Sequence, residues 1–169
     1  IEKLKLPEMR LRFKYGLENY LLDISAIQIA WVLTEKNKQH QGKSLSRYVE
    51  ESGLPKEEAL INLLIEEEMA VLLVFNMGDD RLVDPVLKHD LYMMGTDGIF
   101  MEGGMIHPRQ FGSAPRLIGP CVRDHKLFSL EDAVYKLSGS AAKRFGMKNR
   151  GFIKEQHFAD LVIFDPETV

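Results

Sequence analysis

Short apolar runs of strand length, spaced by helical patterns, are the feature that most narrows what this chain can fold into. Ser25 to Val32 reads as a strand, with Ile27, Ile29 and Trp31 alternating with Gln28 and Ala30 before Val32. Met69 to Phe75 is a continuous apolar run, the signature of a strand covered on both faces. Leu91 to Gly95 is a third run, and it stops short of an acid, Asp97. The order is helix, strand, two helices, strand, helix, strand. Such alternation predicts an α/β fold with parallel strands and right-handed crossovers.

The helices carry their own punctuation. Pro7 suits a first helical turn, and Met9, Phe13, Leu17 and Leu21 recur every four residues after it. Gly16 weakens that helix by about 1 kcal/mol relative to alanine. Ser44 can cap a helix over Leu45 to Ser52 that stops at Gly53. Pro55 begins another, with Ala59, Leu60, Leu63 and Leu64 on one side. Glu66, Glu67 and Glu68 follow one another on a helix, so they do not converge on a metal; they read as a solvated helix end. Asp79 or Asp80 caps a helix to about Lys88, which Pro85 should break or kink. Ser129 caps a helix holding Leu130, Ala133, Val134 and Leu137, with Asp132 three residues on, close to a capping box. A further helix, Ser140 to Phe145, ends at Gly146. Ala159 to Pro166 reads as an apolar strand closed by a turn, the first element of another sheet.

Composition removes several classes of function. The 169 residues carry a net charge of -3 with both signs mixed along the chain, so no basic face is offered to nucleic acid. No run approaches the roughly 18 apolar residues of a membrane span. The single cysteine, Cys121, excludes an internal disulfide framework and reads as a small buried residue; it fits a reducing compartment such as the cytoplasm. The chain starts at Ile1 rather than methionine, which fits a piece of something longer.

Asp97 is the leading candidate for chemistry. A strand that delivers a carboxylate into a glycine-rich loop (glycines at 98, 103 and 104) is the arrangement of a catalytic strand end in a barrel of parallel strands and helices. Such a carboxylate can act as a general base on a water within hydrogen-bond reach. The competing reading is a turn-forming Asp-Gly pair. Arg109 could hold a substrate carboxylate through its planar fork of donors, or be a surface arginine after a proline. His107 is a ligand or proton carrier on one reading and a structural loop histidine on the other. No HxH or HExxH spacing occurs, and no complete metal site can be written from the chain. The basic residues Arg123, Lys143, Arg144, Lys148 and Arg150 could line a phosphate site, but read better as helix-end charges on a solvated face.

Taken together, the ordered stretches GKSLSRYVEESG (42–53), EEALINLLIEE (57–67), MGTDG (94–98), HPRQFG (107–112), PRLIG (115–119) and FSLEDAVYKLSGSAAKRFGMKNRGFIKEQHFADLVIFDPETV (128–169) resemble the C-terminal part of the N-acyl-D-amino-acid deacylases of the amidohydrolase superfamily. The resemblance implies the last three or so strands and helices of a (β/α)8 barrel over residues 1–150. It implies the start of a small β-sandwich domain over 151–169. It implies zinc, and hydrolysis of the amide of a small-molecule N-acyl-D-amino acid. Asp97 falls on the family's strand-eight aspartate, expected to move the proton and also to touch a metal. Arg109 falls on the residue expected to hold the substrate's α-carboxylate.

The departures are local and global. Thr96 stands where serine is more usual, and Phe111 and Ala114 replace larger or hydroxylated residues. The family's cysteine and histidine metal ligands belong to earlier strands, and Cys121 lies too late to be that cysteine. A full barrel takes about 250 residues, so this chain has room for roughly three of its strands. The expectation is a fragment, inactive alone, that associates with itself or with the missing part of the barrel. The alternatives are a non-catalytic assembly module without metal ligands, and an amidohydrolase of other specificity, dihydroorotase-like or dipeptidase.

Overall fold

The computed structural model describes residues 1–20 and 22–169. Leu21, the last member of the predicted apolar stripe, lies outside the described residues. The chain divides into two units. One comprises Ile1–Gly78 with Ile99–His107, the other Asp79–Gly98 with Pro108–Val169.

The first unit is built on a two-stranded antiparallel ribbon of β1 (Ile27–Val32) and β2 (Val71–Phe75). This corrects the expectation of parallel pairing. Between the strands lie two helices, α2 (Leu45–Ser52) and α3 (Lys56–Glu66), so the chain reverses once more than in a single-helix crossover. Glu68 and Met69 then both take left-handed backbone angles, with φ of 52° and 64°, and turn the chain into β2. The register pairs Ile27 with Phe75 and Val32 with Val71. A bulge between Ile29 and Trp31 shifts the alternation: Ala30 and Val32 are buried, and Trp31 is only half-buried. β2 is not covered on both faces as its apolar run predicts. Of its residues only Val74 is buried.

The core of this unit joins Ile27, Ile29 and Val32 to Leu45, Tyr48, Ala59, Leu60 and Leu63. The cap predicted for α2 is present: Ser44 accepts from the Arg47 N–H, and Gly53 closes the helix at φ 66°. α1 (Pro7–Asn19) packs Phe13 and Leu17 against the same core. Arg10 ties it to α3 through Glu58 and, at 2.9 Å, Asn62. The loop Ile99–His107 closes on this unit, where Met105 N–H donates to the Ala30 carbonyl at 2.7 Å.

One acid of the Glu66–Glu68 run is not solvated. The Glu67 side chain is fully buried and receives the Thr34 N–H at 2.7 Å, the Asn37 amide at 2.6 Å and the Thr34 hydroxyl. It closes the loop after β1. Burial pushes its pKa up, but these donors outweigh burial and the net shift is downward.

The second unit is helical. It holds α4 (Asp80–Lys88), α5 (Arg109–Arg116) running into a π-helical stretch Leu117–Asp124, then α6 (Leu130–Val134), a π turn Tyr135–Gly139 and α7 (Ser140–Arg144). Its core is Leu87, Leu117 and Cys121, lined by Tyr92, Leu127, Phe128 and Leu137. Pro85 sits inside α4 without ending it. The Ser129 cap is as expected, with its hydroxyl accepting from the Asp132 N–H at 3.0 Å. Neither predicted strand of this unit forms. Residues 91–95 and 159–166 have no ladder partner among the described residues, and a strand exists only by pairing. Leu161, Val162 and Ile163 are left exposed.

Candidate active site

The second unit brings together the two residues singled out in the sequence. Asp97 Oδ2 lies 3.2 Å from Arg109 Nη2. Two local features hold the partners. Arg109 is the first residue of α5, preceded by Pro108 with φ -50°, which is pre-set for a helix start. Its carbonyl accepts the Ser113 hydroxyl at 2.8 Å. Asp97 sits in the left-handed region at φ 46°, a conformation that asparagine and aspartate tolerate better than most. The Thr96 hydroxyl accepts the Gly98 N–H at 3.2 Å and braces the turn.

Gly98 lies close against the start of α5. A Cβ on it would stand 1.7 Å from Gln110 Oε1 and 3.3 Å from Gln110 Cα. The turn therefore presses directly on the first turn of α5, next to Arg109. The Asp97 side chain is 86% exposed and that of Arg109 38%. The carboxylate stands out at the surface, with the guanidinium beneath it.

His107 belongs to the first unit, with the loop Ile99–Ile106. Cys121 is buried in the apolar core of the second unit, and burial pushes its thiol pKa up, which makes it inert. Among the described residues no three His, Cys, Asp or Glu side chains converge. Asp97, expected also as a metal ligand, is one donor where a zinc ion takes three or four. The donor set of the described residues does not fit zinc.

Sequence reading missed α5 itself. No helix was read over 109–124, although Leu117, Ile118 and Cys121 carry the helical spacing of a buried face.

Comparison with known proteins fixes the relationship. No protein-family model matches the chain. It is 37% identical to a D-aminoacylase of Alcaligenes xylosoxydans xylosoxydans over 128 residues, which cover 76% of this chain and 25% of the relative. The chain is a relative of the N-acyl-D-amino-acid deacylases. An N-acyl-D-aspartate deacylase of the same organism is 32% identical over 128 residues, covering 72% of this chain and 26% of that one. The crystal structure of a Bordetella bronchiseptica N-acyl-D-glutamate deacylase, solved with zinc and a phosphonate mimic of the tetrahedral intermediate, superposes with a TM-score of 0.73 at 31% identity. That match covers 86% of this chain and 29% of the deacylase. The chain thus spans about a quarter of the length of the curated deacylases it matches. Among the described residues, no helix is long and apolar enough to cross a membrane.

Proposed function

We propose that this chain is the C-terminal part of a zinc-dependent amidohydrolase that cleaves N-acyl-D-amino acids to a free D-amino acid and a carboxylate. One observation carries the reading. The acid and the carboxylate binder expected from sequence are 3.2 Å apart on one unit. An amide whose nitrogen is attached beside a carboxylate needs those two groups close together.

In this reading Arg109 receives the substrate's α-carboxylate through its fork of donors. Asp97 takes the proton from the attacking water and returns it to the leaving nitrogen. The bond between carbonyl carbon and nitrogen breaks, and the acyl group leaves as a carboxylate. Zinc would polarise the carbonyl, held by ligands outside this chain. Residues 151–169, with an apolar run that has no partner strand among the described residues, would open the small β-sandwich domain. The segment before them would contribute to a (β/α)8 barrel whose remaining strands lie elsewhere in the polypeptide.

The relatives act, by their names, on different D-amino acids, aspartate and glutamate among them. The class of substrate is therefore proposed and its side chain is left open. The test is release of free amino acid by the zinc-loaded full-length protein from N-acetyl-D-amino acids and their L-enantiomers. The expected result is release from the D series. Release from the L series alone, or none from either, overturns the reading.

A second reading is a non-catalytic assembly module. It is favoured by the lack of three converging metal donors among the described residues. Elemental analysis of the full-length protein separates the two: stoichiometric zinc contradicts the module, and its absence supports it.

A further inference from the structure

Lys136 is 6% exposed, an unusual place for an ammonium. It stands three residues after Ala133, on the buried side of α6 and its π turn. Its Nζ donates to the His89 carbonyl at 2.7 Å. The same atom lies 5.8 Å from the ring centroids of both Tyr92 and Phe128. The charge is met by a carbonyl and two ring faces. Each contact offsets part of the cost of taking a charged group out of water.

An apolar side chain of similar length would fill this space without that cost. It could not hold the His89 carbonyl. His89 ends α4, and its ring accepts the Leu91 N–H at 3.1 Å. Tyr92 opens the irregular stretch that runs on through 93–98 and carries Asp97. Lys136 therefore anchors the near end of this segment. Gly98 against Gln110 and Asp97 against Arg109 fix its far end. All of these residues belong to one unit.

We infer that Lys136 is a positioning residue for Asp97, clamping the start of the 93–98 segment through the His89 carbonyl and the Tyr92 ring. The inference deepens the deacylase reading and rests on it for its catalytic consequence. Two variants of the full-length, zinc-loaded protein test it. Lys136→Met keeps the apolar length and removes the donor; Lys136→Arg keeps a cationic donor. Lys136→Met should lower kcat for N-acetyl-D-amino acids at least about tenfold, as loss of positioning does. KM and zinc content should stay near wild type, and the melting temperature should not fall. Lys136→Arg should restore most of the loss. Wild-type kcat in Lys136→Met overturns the inference, as does a loss that follows the unfolded fraction and is not rescued by arginine.

A measurement independent of activity keeps the two ideas apart. Amide hydrogen exchange over residues 90–98 should quicken in Lys136→Met and return towards wild type in Lys136→Arg. Unchanged exchange refutes the clamp even where the enzyme is active. Faster exchange in a protein that never releases a D-amino acid supports the clamp and refutes the deacylase reading instead.

Discussion

Arg109 and Asp97 face each other across 3.2 Å, one from the first turn of α5 and the other from a left-handed turn pressed against it. On the proposed deacylase reading, a substrate carboxylate entering the site would compete with Asp97 for this guanidinium, and its arrival would release the Asp97 carboxylate for proton transfer.

Arg109→Ala should therefore weaken substrate binding. A charge-assisted hydrogen bond contributes about 1.5–3 kcal/mol, which is a rise in KM of roughly 10- to 100-fold. Arg109→Lys should recover little of this, because lysine keeps the charge and loses the fork. Steady-state kinetics of the full-length protein with N-acetyl-D-amino acids check both. An unchanged KM in Arg109→Ala would remove the residue from substrate binding.

Stability should depend on the Glu67 carboxylate in acid. Its pKa is held down in the folded state, since the donors on Thr34 and Asn37 outweigh burial. A depressed carboxylate stabilises the fold above its unfolded value, about 4.3 for glutamate, and the contribution is lost as the pH falls through the folded value. Glu67→Gln places an amide donor where Thr34 and Asn37 already donate. It should cost about 1–3 kcal/mol at pH 7 and flatten the decline below pH 5. Urea midpoints of wild type and variant from pH 7 to pH 3 give the answer; parallel curves would contradict it. The slope that remains belongs in part to Glu66, lowered by its bonds from Lys36 and Asn37.

Gly151 is the glycine that the fold tolerates least to lose. Its φ is 81°, and an added Cβ would stand 2.3 Å from the Ala142 Cβ on α7. Backbone strain and overpacking each cost about 1–3 kcal/mol, so Gly151→Ala should destabilise by at least about 2 kcal/mol. Thermal denaturation checks this, and a melting temperature equal to wild type would contradict it.

Much of the local structure was legible in the sequence, and the reasons are visible in particular residues. Ser44, Gly53 and Ser129 act through hydrogen bonds and backbone angles within one turn, so their caps appear as expected. The sheet was not legible. Whether β1 and β2 run parallel depends on what the intervening helices do, and the apolar runs at 91–95 and 159–166 have no strand to pair with among the described residues. Glu67 was misread because burial is decided by the loop 33–37, thirty residues earlier in the chain. At the site, Asp97 stood out as an acid after an apolar run and Arg109 as a fork of donors after a proline, and the family resemblance lent them their roles, but Lys136 received no reading at all. Only its burial and its two aromatic neighbours distinguish it.

The account turns on Asp97 as the group that moves the proton. The most direct test measures D-amino acid release by the full-length, zinc-loaded protein and by Asp97→Ala at matched zinc content and matched melting temperature. The account predicts release by wild type and a fall of about 10²–10⁴ in kcat in the variant, the scale of a lost general base. Undiminished turnover in Asp97→Ala would contradict it.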